Sequence, residues 1–220
     1  MRKLVKRLVG PVLKKIHEGY LKRPRRYTYN DISVWVVPGV FPPFLTLSTK
    51  ILLDFIAPMP LNGKRFLELG CGCGIISIFA AKKGADVTAS DINQTALDAL
   101  NTNSVDNNVK LTIVESDLFQ NLNAQQFDCI VINPPYYPKT PKSEAEHAWF
   151  CGEDFGYFKR LFAQLPAFMT SDNYVYMILS EDCEISTIQS LAAENQIVFE
   201  TVLEKKSAGE RNFIFRLICA

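Results

Sequence analysis

From residue 63 onward, short apolar runs alternate with stretches whose apolar positions recur every three or four residues. The runs Arg65–Leu69, Asp86–Ser90, Lys110–Glu115, Phe127–Ile132, Asn173–Leu179, Ile197–Leu203 and Asn212–Ile218 predict strands. Between the first five, Ile75–Lys83, Gln94–Asn103 and Phe155–Met169 predict helices, with only a short polar connection before Phe127. Glu184–Glu194 predicts another helix before the sixth strand. Such alternation implies an α/β fold built on a doubly wound, mostly parallel sheet of seven strands. The last two strands are joined by Glu204–Arg211, which leaves no room for a crossover helix, so they should form an antiparallel hairpin at the sheet edge.

The earlier part of the chain reads differently. In residues 1–29 the apolar positions Leu4, Val5, Leu8, Val9, Val12, Leu13, Ile16 and Tyr20 have helical spacing, with lysines and arginines on the other faces. This predicts a basic, amphipathic helical arm that Pro11 kinks or restarts. Residues 30–62 connect the arm to the α/β domain expected over 63–220. They comprise a strand at Ile32–Val37, a stiff apolar loop Val40-Phe41-Pro42-Pro43-Phe44, and a helix through Phe55 that Thr46 or Ser48 would cap.

Charge separates the arm from the rest. Ten basic side chains against one acid, Glu18, give residues 1–29 a charge of +9; with +1 overall, residues 30–220 carry −8. A basic arm on an acidic body suits contact with RNA or the ribosome, contact with an anionic membrane surface, or simple packing on its own domain. The apolar stretch Leu8–Leu13 is interrupted by Gly10-Pro11 and lacks a cleavage site after it, so no targeting signal is expected. The run Val34–Leu45 is too short and too proline-rich to cross a bilayer. Six cysteines in a chain of this length read as reduced, mostly buried thiols of a cytoplasmic protein. With the C-x-C spacing of Cys71 and Cys73 and only His17 and His147 besides, no metal site is expected.

Four motifs at successive strand ends carry candidate chemistry. The first is Glu68-Leu69-Gly70-Cys71-Gly72-Cys73-Gly74, a strand running through a glycine turn into a helix. Its glycines are spaced by two, and Ile75 stands where a dinucleotide fingerprint needs glycine, which disfavours a nicotinamide oxidoreductase. Acidic Glu68 suits a ligand bearing an ammonium and a sulfonium. The second is Asp91-Ile92 after the next strand, where a carboxylate can accept from two ribose hydroxyls. The third, Asp117-Leu118, could accept from an adenine amino group and cover the ring. The fourth is Asn133-Pro134-Pro135-Tyr136. Its prolines remove two backbone donors and leave carbonyl acceptors, Asn133 adds an amide oxygen, and Tyr136 can stack on a flat substrate.

In this order, the motifs resemble those of class I S-adenosylmethionine-dependent methyltransferases, which have a Rossmann-like fold. The Asn133–Tyr136 motif narrows the resemblance to enzymes that methylate amide or amino nitrogens. Val40–Pro43 leading into Ser48-Thr49-Lys50-Ile51-Leu52-Leu53, and the stretch Ala148–Gly156, are similar to flanking segments of the release-factor glutamine methyltransferases, the HemK-like group. The resemblance spans roughly residues 32–218. It implies S-adenosyl-L-methionine as cofactor, held by Glu68, Gly70, Cys71, Gly72, Gly74, Asp91, Ile92, Asp117, Leu118 and Asn133. Catalysis falls to Asn133, Pro134 and Tyr136, and the acceptor to Phe41, Thr49, Pro135 and Tyr136. The implied acceptor is a protein or RNA of the translation apparatus, best matched by a glutamine side chain of a release factor. Ser48 replaces the family's usual Asp, and the basic arm stands where a larger helical domain is usual, which keeps a base nitrogen of rRNA or tRNA as the alternative. A non-catalytic scaffold that keeps the fold to bind RNA or a partner is the reading from another class.

Overall fold

The computed structural model describes residues 22–123, 126–207 and 209–220. The apolar pattern expected of the helical arm lies in residues 4–20, outside the described residues. The arm's last residues correct its boundary: Arg25–Tyr29 form a strand, β1, that pairs antiparallel with β2, Ile32–Val36. The alternation of Arg26 and Thr28 with Tyr27 and Tyr29 explains this, since the tyrosines turn inward while Arg26 and Thr28 are exposed.

The remaining elements follow the predicted order. They are α1 (Ser48–Ile56), β3 (Arg65–Leu69), α2 (Ile75–Lys82), β4 (Asp86–Asp91), α3 (Gln94–Asp106), β5 (Thr112–Glu115), β6 (Cys129–Ile132), α4 (Gly156–Gln164), β7 (Tyr174–Ser180), α5 (Ile185–Ala193), β8 (Ile197–Ser207) and β9 (Glu210–Cys219). Two expectations need adjustment. The helix expected to run to Met169 tightens into a 3-10 turn at Leu165–Phe168, where Pro166 interrupts the α pattern. Neither Thr46 nor Ser48 caps α1: Leu47 occupies the cap position, and the two hydroxyls lie 3.1 Å apart, bonded to each other.

The seven-stranded sheet has the order β5-β4-β3-β6-β7-β9-β8. β5, β4, β3, β6 and β7 are parallel, while β9 runs antiparallel between β7 and β8. Every central strand alternates its side chains between two cores. Phe66, Val131 and Ile178 join α1, α2, α3 and the β1–β2 hairpin on one face. Leu67, Ile130, Ile132, Met177 and Leu179 join α4 and α5 on the other. Strands buried on both sides are expected to be continuously apolar, as Cys129–Ile132 is.

The hairpin is fixed to α3 by two asparagines one helical turn apart. Trp35 N–H donates to Asn103 Oδ1 (2.8 Å), and Asn103 Nδ2 donates back to Trp35 O (2.9 Å). Two residues earlier, Asn107 Nδ2 donates to Ser33 O (2.8 Å) and its Oδ1 accepts from Ser33 N–H (3.4 Å). Four residues of helix rise about 6.0 Å and two of strand about 6.7 Å, so the amides act as a substitute neighbouring strand. Asn103 Nδ2 also donates to Cys73 O (3.0 Å), tying the hairpin to the glycine turn.

Candidate active site

The strand order reverses between β3 and β6, and in open α/β sheets ligands bind in the crevice at such a point. Glu68 pairs with Val131 and Leu69 with Ile132, so the next residues at the carboxyl edge are Gly70 and Asn133. Two of the four sequence motifs therefore flank one crevice. It opens into a cavity of about 310 Å³ whose walls include all of the predicted site residues except Gly74.

The glycine turn is built by backbone conformations that side chains disfavour. Gly70, Gly72 and Gly74 have φ of +78°, +51° and +77°. Gly70 and Cys71 both donate to Ser90 O, at 2.8 and 2.9 Å, which clamps the turn to the end of β4. At Gly74, the residue before α2, a Cβ would come within 2.0 Å of Leu100 Cδ1, so this glycine serves the close approach of α3 to the turn.

Glu68 is 5% exposed, and its Oε2 accepts from Ser77 N–H at 2.8 Å and from the Ser77 hydroxyl. Burial raises its carboxyl from the usual carboxylate range to about 8, the Ser77 bonds opposing and nearby Asp91 assisting. Ser77 is the partner that the sequence motif did not reveal. Asp91 accepts from Gly72 N–H (2.8 Å) through one oxygen and from Asn93 N–H (2.9 Å) through the other. Burial raises its pKa against these bonds. Asn93 accepts from Thr95 N–H (3.0 Å) as the cap of α3, and Asn93 Nδ2 donates to Gly39 O (2.9 Å). Ile92 is exposed at the rim.

Asp117 forms an ion pair with Arg160 of α4. Arg160 and Tyr157, three residues apart on that helix, both line the cavity, and neither belongs to a motif legible in the sequence. Burial, with Asp91 and Asp117 near, raises the Tyr157 phenol pKa. Leu118 holds φ +55°, and Ser116 Oγ donates to its carbonyl (2.8 Å) and accepts from Asn121 N–H (3.0 Å), fixing the turn.

On the other side, Asn133 Nδ2 donates to Thr49 Oγ1 (3.5 Å), which leaves the amide oxygen as the group's acceptor. Pro134 is buried and Pro135 half-buried. Tyr136 lines the cavity but is only 9% exposed and belongs to the core cluster that includes Phe158 and Cys183, so it is not a free platform. The aromatic wall expected of Phe41 and Tyr136 also includes Tyr137, whose ring lies 4.9 Å from that of Tyr136, and Trp149, whose ring lies 4.9 Å from that of Phe41. The segment after Tyr136 is tied down by Tyr137 N–H to Trp149 O (3.1 Å) and Cys151 N–H to Tyr137 O (3.0 Å). Asp154, in the stretch similar to a family segment, faces solvent in an ion pair with Lys159 (3.1 Å).

The cysteines are free thiols, and Cys71, Cys73, Cys129, Cys151 and Cys183 are buried. Cys219, at the end of β9, is exposed. Among the described residues there is no group of three His, Cys, Asp or Glu side chains able to hold a metal, and no helix long and apolar enough to cross a membrane.

A family described as the methyltransferase small domain matches residues 31–150. Over 79 residues, 36% of this chain, the sequence is 46% identical to a Methanocaldococcus jannaschii protein named as a protein N5-glutamine methyltransferase, of which 40% is covered. Over 116 residues, 51% of the chain, it is 33% identical to ribosomal RNA small subunit methyltransferase C of Hamiltonella defensa, of which 34% is covered. The chain thus matches well under half the length of these relatives. A solved structure of the T. thermophilus 16S rRNA N2 G1207 methyltransferase with AdoMet and guanosine superposes with a TM-score of 0.63 at 20% identity, covering 88% of this chain and 50% of that one.

Proposed function

The chain belongs to the methyltransferase small-domain family, and on that premise we propose that it transfers a methyl group from S-adenosyl-L-methionine to a planar amide or amino nitrogen of a macromolecule of the translation apparatus. The observation that carries this reading is one cavity at the sheet's reversal point, with buried Glu68 and half-buried Asp91 on one side and the Asn133–Pro134 acceptors on the other.

The residues present fit the cofactor. Glu68, whose carboxyl burial pushes up to about 8, gains a counter-charge from an ammonium and sulfonium. Ser90 Oγ, in the cavity wall, is buried without a partner among the described residues and can bond a polar ligand. Gly70, Cys71 and Gly72 let the backbone approach the amino-acid end, while Gly74, outside the cavity wall, shapes the turn by admitting Leu100 of α3. Asp91, still able to accept further bonds through both oxygens, takes the ribose hydroxyls beside Ile92. Asp117 takes the adenine amino group, sharing its charge with Arg160, and Leu118 covers the ring. When bound, the cofactor supplies a sulfonium methyl electrophilic enough for direct displacement.

The protein's contribution is then position and electrostatics. An amide or aniline-type nitrogen is a poor nucleophile because its lone pair is delocalised. Asn133 Oδ1 and Pro134 O accept its two N–H bonds and favour a localised lone pair as the new N–C bond forms, after which one of those two protons is released to water. Thr49 holds the Asn133 amide in the orientation this needs. Phe41, Pro135 and Tyr136 confine the flat group. Leaving one such bond unmade in a dry site costs on the order of 1–3 kcal/mol. Asn133→Ala is therefore expected to lower kcat about tenfold or more while calorimetry with S-adenosylhomocysteine shows retained binding. Wild-type turnover in that variant would remove Asn133 from the mechanism.

The acceptor we propose first is a protein glutamine, as in a release factor, supported by the 46% identity to the archaeal relative. The amino group of an RNA base is the second reading, supported by the match to ribosomal RNA small subunit methyltransferase C and by the +9 charge of residues 1–29. Labelled methyl transfer to a Gly-Gly-Gln peptide domain and to ribosomal RNA separates the two. The buried free thiols fit a reducing, cytoplasmic setting.

A further inference from the structure

The outward face of the β1–β2 hairpin carries an exposed indole that the methyl-transfer reading does not use. Trp35 is 42% exposed, although a tryptophan ring is among the costliest apolar groups to leave in water. It sits opposite Arg26 in the strand pairing, and the Arg26 guanidinium lies 5.6 Å from the ring centroid. Lys22 and Arg23, also exposed, lie one residue before β1, with Pro24 between, and no acid occurs from residue 22 until Asp31 in the hairpin turn. The other outward side chains of the hairpin are polar, Thr28 and Ser33, whose hydroxyls lie 3.4 Å apart.

We propose that this face is a docking surface for single-stranded RNA, with Trp35 stacking on a base and Arg26, Arg23 and Lys22 contacting the phosphate backbone. The charge is complementary, and a ring flanked by cations on a rigid strand is the combination that holds single strands without reading their sequence. A membrane surface fits less well, because one ring among Arg26, Thr28 and Ser33 provides little apolar area to insert. The position also favours a strand leading to the cavity. Phe41, in the cavity wall, follows Trp35 by six residues, at most about 20 Å of extended chain, which about six stacked nucleotides would span. Trp35 is held through its backbone by Asn103, so its ring can be exchanged without loss of that anchor. The surface goes beyond the methyl-transfer reading and does not depend on whether the acceptor is a base or a protein side chain near RNA.

The test uses the full chain and a labelled twelve-nucleotide oligouridylate, followed by fluorescence anisotropy at two salt concentrations. Trp35→Ala is expected to weaken binding about tenfold, and Arg26→Gln to lower the salt slope by about one. Since the chain has two tryptophans, a Trp149→Phe background leaves Trp35 as the sole indole, and its emission should be quenched as RNA binds. Unaltered binding of S-adenosylhomocysteine to Trp35→Ala shows that the fold and the cofactor site persist; if that variant fails to fold, Arg26→Gln carries the test. The proposal is overturned if oligouridylate does not bind, if both variants bind it like the wild type, or if Trp35 emission responds to phosphatidylserine vesicles and not to RNA. None of these outcomes bears on methyl transfer, which the Asn133→Ala measurement decides separately.

Discussion

Glu68 combines two opposing demands on one side chain. Ser77 offers its backbone N–H and hydroxyl to Oε2, which favours the carboxylate, while burial favours the acid more strongly. With a folded-state pKa near 8 against about 4.5 unfolded, the group's stabilising contribution is complete below about pH 4.5 and is lost as pH rises towards 8. Glu68→Gln keeps the uncharged form, so urea denaturation of that variant should vary less between about pH 5 and pH 8 than that of the wild type. If the cofactor's positive charge draws out the Glu68 proton, binding near neutral pH releases a proton. Calorimetry of cofactor binding in buffers of different ionisation enthalpy should show that release in the wild type and not in Glu68→Gln. The acidity of this position was legible from Glu68 standing before the glycines. Its protonation was not, because Ser77 and the surrounding burial become neighbours only when α2 folds back on β3. Arg160 is a similar case: 43 residues separate it from Asp117, and no local pattern marks a helix residue as a partner for a distant loop.

Among the elements, the glycine turn and α3 are matched by shape. Gly74 combines φ +77° with the Leu100 side chain packed where a Cβ would stand. Gly74→Ala should therefore destabilise the protein by about 2–5 kcal/mol, from left-handed backbone strain and overpacking together. The double variant Gly74→Ala/Leu100→Ala should recover part of the overpacking cost but none of the strain, which denaturant unfolding of the two single variants and the double would reveal as non-additivity. The sequence showed that a glycine was needed at the strand-to-helix turn but not which helix pressed against it. It also concealed β1, whose two-residue alternation in Arg25–Tyr29 is overlaid on a basic run that continues the charge pattern of the arm. The β2 strand was legible from Ile32–Val37, but among the described residues its outer edge has no strand neighbour to predict. Asn103 and Asn107, which satisfy that edge, read in the sequence only as polar positions of a helix.

At the scale of the molecule, the doubly wound order and the closing hairpin follow from alternation and from the shortness of Glu204–Arg211, and both are present. What alternation could not specify is that β9 enters between β7 and β8, because hairpin strands can join a sheet through either member. The insertion makes β9 the seam on which β8 depends. Phe215 lies in that seam, 3% exposed, opposite Met177 on one side and Thr201 on the other, with its ring centroid 5.2 Å from that of Phe199. Phe215→Ala is expected to cost on the order of 3–5 kcal/mol, measured by thermal or denaturant unfolding, and a loss below about 1 kcal/mol would contradict the packing assigned to this strand.

The same seam sets a schedule for the chain while it is being made. β8, with eleven residues, emerges from the ribosome before the ten-residue strand that is its only sheet neighbour among the described residues. During that interval β7 and β8 each present unpaired N–H and C=O groups, a state that invites association between nascent chains. Lys205 and Lys206, together with the glutamates that punctuate β8, place charges along that exposed rim and would act as gatekeepers until β9 arrives.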